Sequence, residues 1–330
     1  MSANLYVPLI LAGIVILLFG GDFLVRGGAA LGHRWRLPPL FVGLTIIAFG
    51  TSAPELVVSI QSALAGAPGL ALGNIVGSNT ANFLLVLGLP ALFGPILTTT
   101  PGVRRNALIA LAAAILLIFF SWDRIISLQE SFILFGLIIG YIALLGILAR
   151  GKSDDPSLAE LTDIEAMDGL PRSVSTLAFY IVTGLIALPL GAHMIVTGGT
   201  AAAEALQVDD SLIGLTALAF GTSLPELATV VMASMRRHAE LAIGNVIGSN
   251  IFNIFAVGGA TGLTASAVGV SLDVPEAFFS LDFGVMLAAS VVIAAIILMK
   301  RPIGRLTGAV LFLGYVGYIA ILAETMVHPS

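Results

Sequence analysis

Gly43-Leu-Thr-Ile-Ile-Ala-Phe-Gly-Thr-Ser-Ala-Pro-Glu-Leu56 returns in the second half of the chain as Gly214-Leu-Thr-Ala-Leu-Ala-Phe-Gly-Thr-Ser-Leu-Pro-Glu-Leu227. The match continues without a gap through Gly73-Asn-Ile-Val-Gly-Ser-Asn-Thr-Ala-Asn82 and Gly244-Asn-Val-Ile-Gly-Ser-Asn-Ile-Phe-Asn253. From Gly43 to Gly88 against Gly214 to Gly259, 21 of 46 positions are identical, which makes the chain two copies of one unit. Each copy sets a glutamate, Glu55 or Glu226, in an apolar segment beside a proline and a Gly-Thr-Ser run. A charged side chain at the centre of a membrane helix costs at least about 2.5–3.5 kcal/mol, so its default reading is a functional site facing the bundle interior.

The surroundings are those of a polytopic membrane protein. Hydrophobic residues make up 58% of the chain and charged residues 10%, against about 25% charged in a soluble domain. A helix that crosses the bilayer needs roughly 20 apolar residues. Ten such runs lie near residues 5–27, 40–64, 70–95, 104–122, 128–149, 174–200, 211–235, 240–264, 280–299 and 304–325. With these ten spans, one side carries 13 lysines and arginines and the other only Arg124. That bias predicts the first side in the cytoplasm and both termini outside. Basic residues follow the first apolar run and none precedes it, which predicts a retained span and not a cleaved signal peptide. The chain has no cysteine, which excludes disulfides, thiolate metal sites and cysteine nucleophiles. Of its four histidines only His193 falls within a span, and one histidine makes no dedicated zinc site.

Along the chain, Asp22 and Arg26 are spaced to pair on one face of the first helix. Gly20, Gly27 and Gly28 are echoed at the same offset by Gly191, Gly198 and Gly199, so the repeat includes this helix. Such glycines let helices pack closely, and a smooth face would also let the first and sixth helices slide. Pro54 lacks an N–H and predicts a break near Gly50 to Ala53. Asn74, Ser78 and Asn82 share one face of the third span, and this polar stripe is expected to face Glu55. The fourth and fifth spans are almost purely apolar and read as scaffold, and residues 150–173 read as an acidic cytoplasmic linker. The second half repeats the plan, with a break at Gly221 to Glu226 and a stripe of Asn245, Ser249 and Asn253.

The predicted fold is therefore an all-α membrane protein of ten transmembrane helices. Residues 1–149 form one five-helix repeat around the 43–88 motif, and residues 174–330 form a second around 214–259. An odd number of spans per copy inverts the second against the first, as in secondary transporters whose substrate site lies at the midplane. If both breaks meet there, the site offers Glu55 and Glu226 together with the hydroxyls of Thr51, Thr222, Ser78 and Ser249. It adds the amide oxygens of Asn82 and Asn253 and the carbonyls that the prolines free. Hard oxygen ligands suit Ca²⁺ and also Na⁺, and less so Mg²⁺, which keeps its waters. Two glutamates in a low dielectric take up cations or protons, and competition for one carboxylate pair is a physical basis for exchange.

At these residues the chain resembles the cation/Ca²⁺ exchanger superfamily, in particular its prokaryotic Na⁺/Ca²⁺ exchanger branch. The motifs Gly50-Thr-Ser-Ala-Pro-Glu55 with Gly73-Asn-Ile-Val-Gly-Ser78, and Gly221-Thr-Ser-Leu-Pro-Glu226 with Gly244-Asn-Val-Ile-Gly-Ser249, are similar to its two alpha repeats. The resemblance implies an antiporter of the cytoplasmic membrane that exchanges Ca²⁺ for Na⁺, with no cofactor, nucleic acid or obligatory protein partner beyond membrane lipid. By the same resemblance the ion ligands are Thr51, Glu55, Ser78 and Asn82, then Thr222, Glu226, Ser249 and Asn253, with the carbonyls of Ala48 and Ala219. Helices one and six would slide across a fixed bundle. Asn253 stands where many relatives carry aspartate, which argues against K⁺ co-transport. The H⁺/Ca²⁺ branch is the alternative, although its Gly-Asn-x-x-Glu pattern is replaced here by Gly-Asn-x-x-Gly at Gly73 and Gly244. A carboxylate pair could also serve an intramembrane hydrolase. The Pro-broken helices and the hydroxyls and amides around each glutamate suit a desolvated cation better.

Overall fold

The computed structural model describes residues 3–150, 170–171, 173–205 and 221–327. Prolines open several of the helices, since the N–H they lack has no partner in a first helical turn. The first half runs through α1 (Ala3–Trp35), α2 (Pro39–Val42), a π turn (Gly43–Ile47), α3 (Ala48–Thr51), α4 (Ala53–Leu64) and α5 (Pro68–Ala81). A second π turn (Asn82–Val86), α6 (Gly88–Ala91), α7 (Val103–Phe120), β1 (Ile125–Ile126) and α8 (Leu128–Arg150) complete it. The second half contains α9 (Val174–Ala205), α10 (Leu224–Met235), α11 (Ala239–Phe252), a π turn (Asn253–Gly258) and α12 (Gly259–Ala267). It ends with β2 (Leu272–Asp273), α13 (Ala277–Ser280), α14 (Asp282–Leu298) and α15 (Arg305–Val327).

Among the described residues, seven helices are long and apolar enough to cross a membrane. The pair Pro39–Thr51 and Ala53–Leu64, bent by 42°, makes an eighth. The predicted ten therefore stands at seven or eight. Of the remaining predicted spans, 280–299 holds α14, apolar but only 17 residues long. The span at 211–235 holds α10, with 12 residues, and its preceding part lies outside the described residues, as does most of the 150–173 linker.

The centre is built from α5 and α11 with their continuations, which are packed on all sides and carry the polar stripes. Outside them α1 and α9 lie backbone to backbone. A Cβ on Gly191 would stand 2.7 Å from Leu17 N and 2.8 Å from Gly13 O, and one on Gly184 would stand 2.9 Å from Gly20 O. The close packing expected between these helices is met at Gly20, Gly27, Gly191 and Gly198, whereas Gly28 faces Val42 and Ile47 and nothing stands within 4 Å of where a Cβ on Gly199 would be. The Gly244 and Gly248 pair packs the same way, and a Cβ on Gly248 would stand 2.8 Å from Leu44 O.

The loops sort by charge. Thr98 donates to Arg301 O at 2.7 Å and Arg104 to Leu298 O at 2.7 Å, which ties the start of α7 to the basic end of α14. At the other end of α7, the β1–β2 ribbon pairs Ile125 with Asp273 and Ile126 with Leu272, and Arg124 bonds Glu276 at 2.8 Å. Arg124 is thus at the opposite end of α7 from Arg104. Helices α4 and α10 end on equivalent left-handed residues, Gly66 (φ 74°) and Arg237 (φ 61°). In the second copy a cation accepts that conformation where the helix dipole is negative.

Candidate ion-binding site

Both predicted breaks are present. Helix α3 ends at Thr51 and α4 begins at Ala53, with Ser52 between them at φ −85°, ψ 1°. Ser223 precedes α10 with φ −85° and ψ 0°. Glu55 and Glu226 consequently sit in the first turns of α4 and α10, where free N–H groups and the positive end of the helix favour a carboxylate. Ser52-Ala-Pro-Glu55 and Ser223-Leu-Pro-Glu226 both have the spacing of a capping box. Neither box closes, because no side chain caps either helix. The Ser52 hydroxyl instead crosses between the repeats and donates to Glu226 Oε1 at 3.4 Å.

The two carboxylates are fully buried. Ser249 Oγ donates to Glu226 Oε1 at 3.5 Å, while Glu226 Oε2 and both oxygens of Glu55 have no hydrogen-bond donor. Around them the repeats exchange hydroxyl contacts in matched pairs. Thr51 meets Ser249 at 3.3 Å, and Ser78 meets Thr222 at 3.2 Å. Thr51 also donates toward Asn245 Oδ1 at 3.1 Å. Asn82 Nδ2 donates to Asn250 Oδ1 at 2.9 Å, and Asn250 Nδ2 donates to Asn79 O at 3.3 Å. Asn74 braces the first copy from behind, donating to the backbone carbonyl of Glu55 at 3.1 Å and to Ser59 at 2.9 Å. Of the expected stripe, Asn74 reaches Glu55, at its main chain and not its carboxylate, while Ser78 bonds Thr222 and Asn82 bonds Asn250.

Of the predicted ligands, Ala48, Thr51, Glu55, Ser78, Asn82, Thr222, Glu226, Ser249 and Asn253 are all buried, and Ala219 lies outside the described residues. The carbonyl of Ala48 already accepts Ser52 N at 2.9 Å and the Thr51 hydroxyl at 3.3 Å, so only its remaining lone-pair capacity is open to an ion. The carbonyl that Pro54 leaves unserved is that of Gly50, four residues back. Sequence reasoning did not include Ser52 or the three π turns. The Ser-x-x-Glu spacing was a usable sign of the first. The π turns start at or near the motif residues, as with Leu87 N bonded to Asn82 O at 3.2 Å, and such turns recur at functional sites.

Among the described residues no basic side chain is ion-paired with either glutamate. Five buried oxygens, Glu55 Oε1 and Oε2, Glu226 Oε2, Asn82 Oδ1 and Asn253 Oδ1, have no donor. An unpaired buried acceptor costs about 1–3 kcal/mol, and more when charged. Carboxylate oxygens left without donor or basic partner are open to a desolvated cation. Residues 5–147 and 176–323 match the sodium/calcium exchanger protein family. The chain belongs to that family. The exchanger is 34% identical over 320 residues to CaxA of Alkalimonas amylolytica, named as a candidate antiporter, covering 95% of this chain and 97% of that one. It is 31% identical over 345 residues to the sodium/calcium exchanger MaX1 of Methanosarcina acetivorans, covering 95% and 97%. The structure of the sodium-calcium exchanger NCX_Mj soaked with 2.5 mM Na⁺ and 0.1 mM Ca²⁺ superposes with a TM-score of 0.81 at 29% identity, over 97% of this chain and 99% of that one. The exchanger is thus a multi-pass membrane transporter and not an enzyme.

Proposed function

We propose that the chain is a secondary-active antiporter of the cytoplasmic membrane that exchanges Ca²⁺ for Na⁺ through one site between its two repeats. The observation that carries this reading is that, among the described residues, two buried glutamates lack a basic partner and three of their four oxygens lack a donor. One Ca²⁺ neutralises the pair, and so do several Na⁺, so the two ions compete for the same carboxylates. Ca²⁺ takes about 6–8 oxygens in flexible geometry. Glu55, Glu226, Thr51, Thr222, Ser78, Ser249, Asn82 and Asn253, with the carbonyls of Ala48 and Ala219, supply a set of that kind.

In this reading α10 with the residues before it, and α14, complete ten spans. Residues 1–149 and 174–330 are inverted copies joined by a cytoplasmic linker at 150–173, and both termini are outside. The 13-to-1 distribution of lysine and arginine supports that orientation. An empty site of two unpaired carboxylates is costly, which discourages the unloaded carrier from reorienting and couples the two fluxes.

The test is Ca²⁺ uptake into proteoliposomes of the purified protein loaded with Na⁺, with K⁺ in its place, or with a proton gradient alone. Uptake that requires internal Na⁺ is the expected result. Uptake driven by protons alone would transfer the same site to H⁺/Ca²⁺ exchange, and no uptake under any gradient would overturn Ca²⁺ as the transported ion.

A further inference from the structure

The two ends of an asparagine amide are nearly equal in shape, but only the oxygen can ligate a cation. Something must therefore decide which end of Asn82 faces the site. We infer that Asn250 is the positioning residue that holds the Asn82 oxygen inward. A backbone carbonyl cannot exchange roles as an amide can. Because Asn250 Nδ2 donates to the carbonyl of Asn79 at 3.3 Å, it is Asn250 Oδ1 that faces Asn82. That oxygen accepts Asn82 Nδ2 at 2.9 Å. Asn82 Nδ2 is thereby turned to Asn250, and its Oδ1 remains buried without a donor. Asn79, Asn82 and Asn250 are each 2% exposed or less, so no bulk water competes for these bonds.

The second copy lacks this device. Asn79 is the first-copy counterpart of Asn250, yet its Nδ2 turns back to Ile75 O in its own helix at 2.8 Å. Asn253, the counterpart of Asn82, has neither its Oδ1 nor its Nδ2 bonded. The site therefore holds one amide set as an acceptor before any ion arrives and one that turns either end as required. The inference rests on the reading of Asn82 as an ion ligand.

The experiment is a double-mutant cycle in the full-length protein, combining Asn250→Ala with Asn82→Asp. Apparent Ca²⁺ affinity is read from the KM of exchange and from Ca²⁺-induced thermal stabilisation in detergent. With Asn82 present, Asn250→Ala is expected to weaken Ca²⁺ about tenfold, chiefly in KM, as befits residues in direct contact. The carboxylate introduced by Asn82→Asp offers oxygen at both ends, so in that background the same substitution is expected to cost less than about twofold. Asn250→Ser retains an acceptor and is expected to recover part of the loss, which keeps the test readable if the alanine variant folds poorly. Equal losses in both backgrounds, or no loss with Asn82 present, would overturn the positioning role. Wild-type protein that binds no Ca²⁺ would sink the Ca²⁺ reading by itself. The same cycle is then read with Na⁺, which makes the same demand for an oxygen, and the same two outcomes decide the role of Asn250.

Discussion

Two pairs of equivalent segments have opposite surroundings. In Pro68–Ala91 and Ala239–Ala267, which include α5 and α11, 78% and 94% of the most apolar stretch is buried. In Tyr6–Trp35 and Val174–Ala203, the bulk of α1 and α9, the shares are 33% and 22%. The inner pair carries asparagines and serines that need partners, because an unsatisfied polar group has no water to turn to at membrane depth. The outer pair carries glycines and meets backbone to backbone, with little directional bonding. Buried polar side chains and glycine-lined close contacts are thus kept on different helices. On the proposed function, the inner helices, with the glutamates of α4 and α10, hold the ion while the outer ones govern access to it.

The largest expected effect lies at the centre. Glu55→Gln or Glu226→Gln fits the same space but removes a charge that the ion needs, and each is expected to abolish Ca²⁺ exchange while the protein elutes and melts as wild type does. Loss of one buried charge partner is worth about 3–5 kcal/mol, beyond a hundredfold in affinity. Exchange retained in both single variants would break the comparison, because the glutamates that α4 and α10 bring to the inner pair would then not hold the ion. Asn253→Asp adds a third acid beside the two glutamates and is expected to change the pH dependence and the Na⁺/Ca²⁺ preference by about tenfold, comparable to other short-range charge couplings. Unaltered ion and pH profiles would remove Asn253 from the ligand set. Gly191→Leu on the outer pair would drive a side chain into the backbone of α1 at Leu17 and Gly13. Overpacking of this kind costs about 1–3 kcal/mol, and the expected result is a lower maximal rate with Ca²⁺ affinity unchanged. A changed affinity at full rate would place α9 in the site and erase the distinction between the pairs.

The central residues were far easier to read from sequence than the way their atoms meet. A glutamate beside a proline in an apolar run has one economical explanation, and its recurrence at the matching position of the second copy removes chance. Periodicity placed Asn74, Ser78 and Asn82 on one face. It could not say that Asn74 would brace the carbonyl of Glu55, since that depends on Ser59, whose counterpart in the second copy is Val230. Nor could it place Ser52 against Glu226, because the local capping-box pattern points the serine at its own helix while the bond made is to the other repeat. Among the described residues, the span count differs from ten for a related reason. Composition measures apolar length, and α10 is a short helix of 12 residues that begins at the break.

The smallest effect concerns an ion pair between the outer helix α1 and the end of α10. Asp22 on α1 is 8% exposed and accepts from Arg26 at 3.4 Å and from Arg236, which caps the end of α10. Its counterpart in the second copy is His193, and that of Arg236 in the first is Ala65, so the other copy cannot build the same ion pair. Asp22→Asn should therefore loosen α1 at the end that carries the basic residues and leave the other end alone. The Arg236 side chain is 36% exposed, so solvent screening discounts the pair to about 1 kcal/mol, a roughly fivefold shift in the equilibrium between closed and open at that end. Gly21 covers Met232, with the Cγ 3.3 Å from where a Cβ would stand. Because the chain has no cysteine, Met232→Cys can be labelled alone with a membrane-impermeant maleimide. Labelling from the basic side should quicken about fivefold when Asp22→Asn is added, following the same screened estimate, with Ca²⁺ affinity unchanged. An unchanged labelling rate would mean that glycine packing alone keeps α1 seated. Faster labelling from both sides would mean that Asp22 holds the helix together and not one end of it.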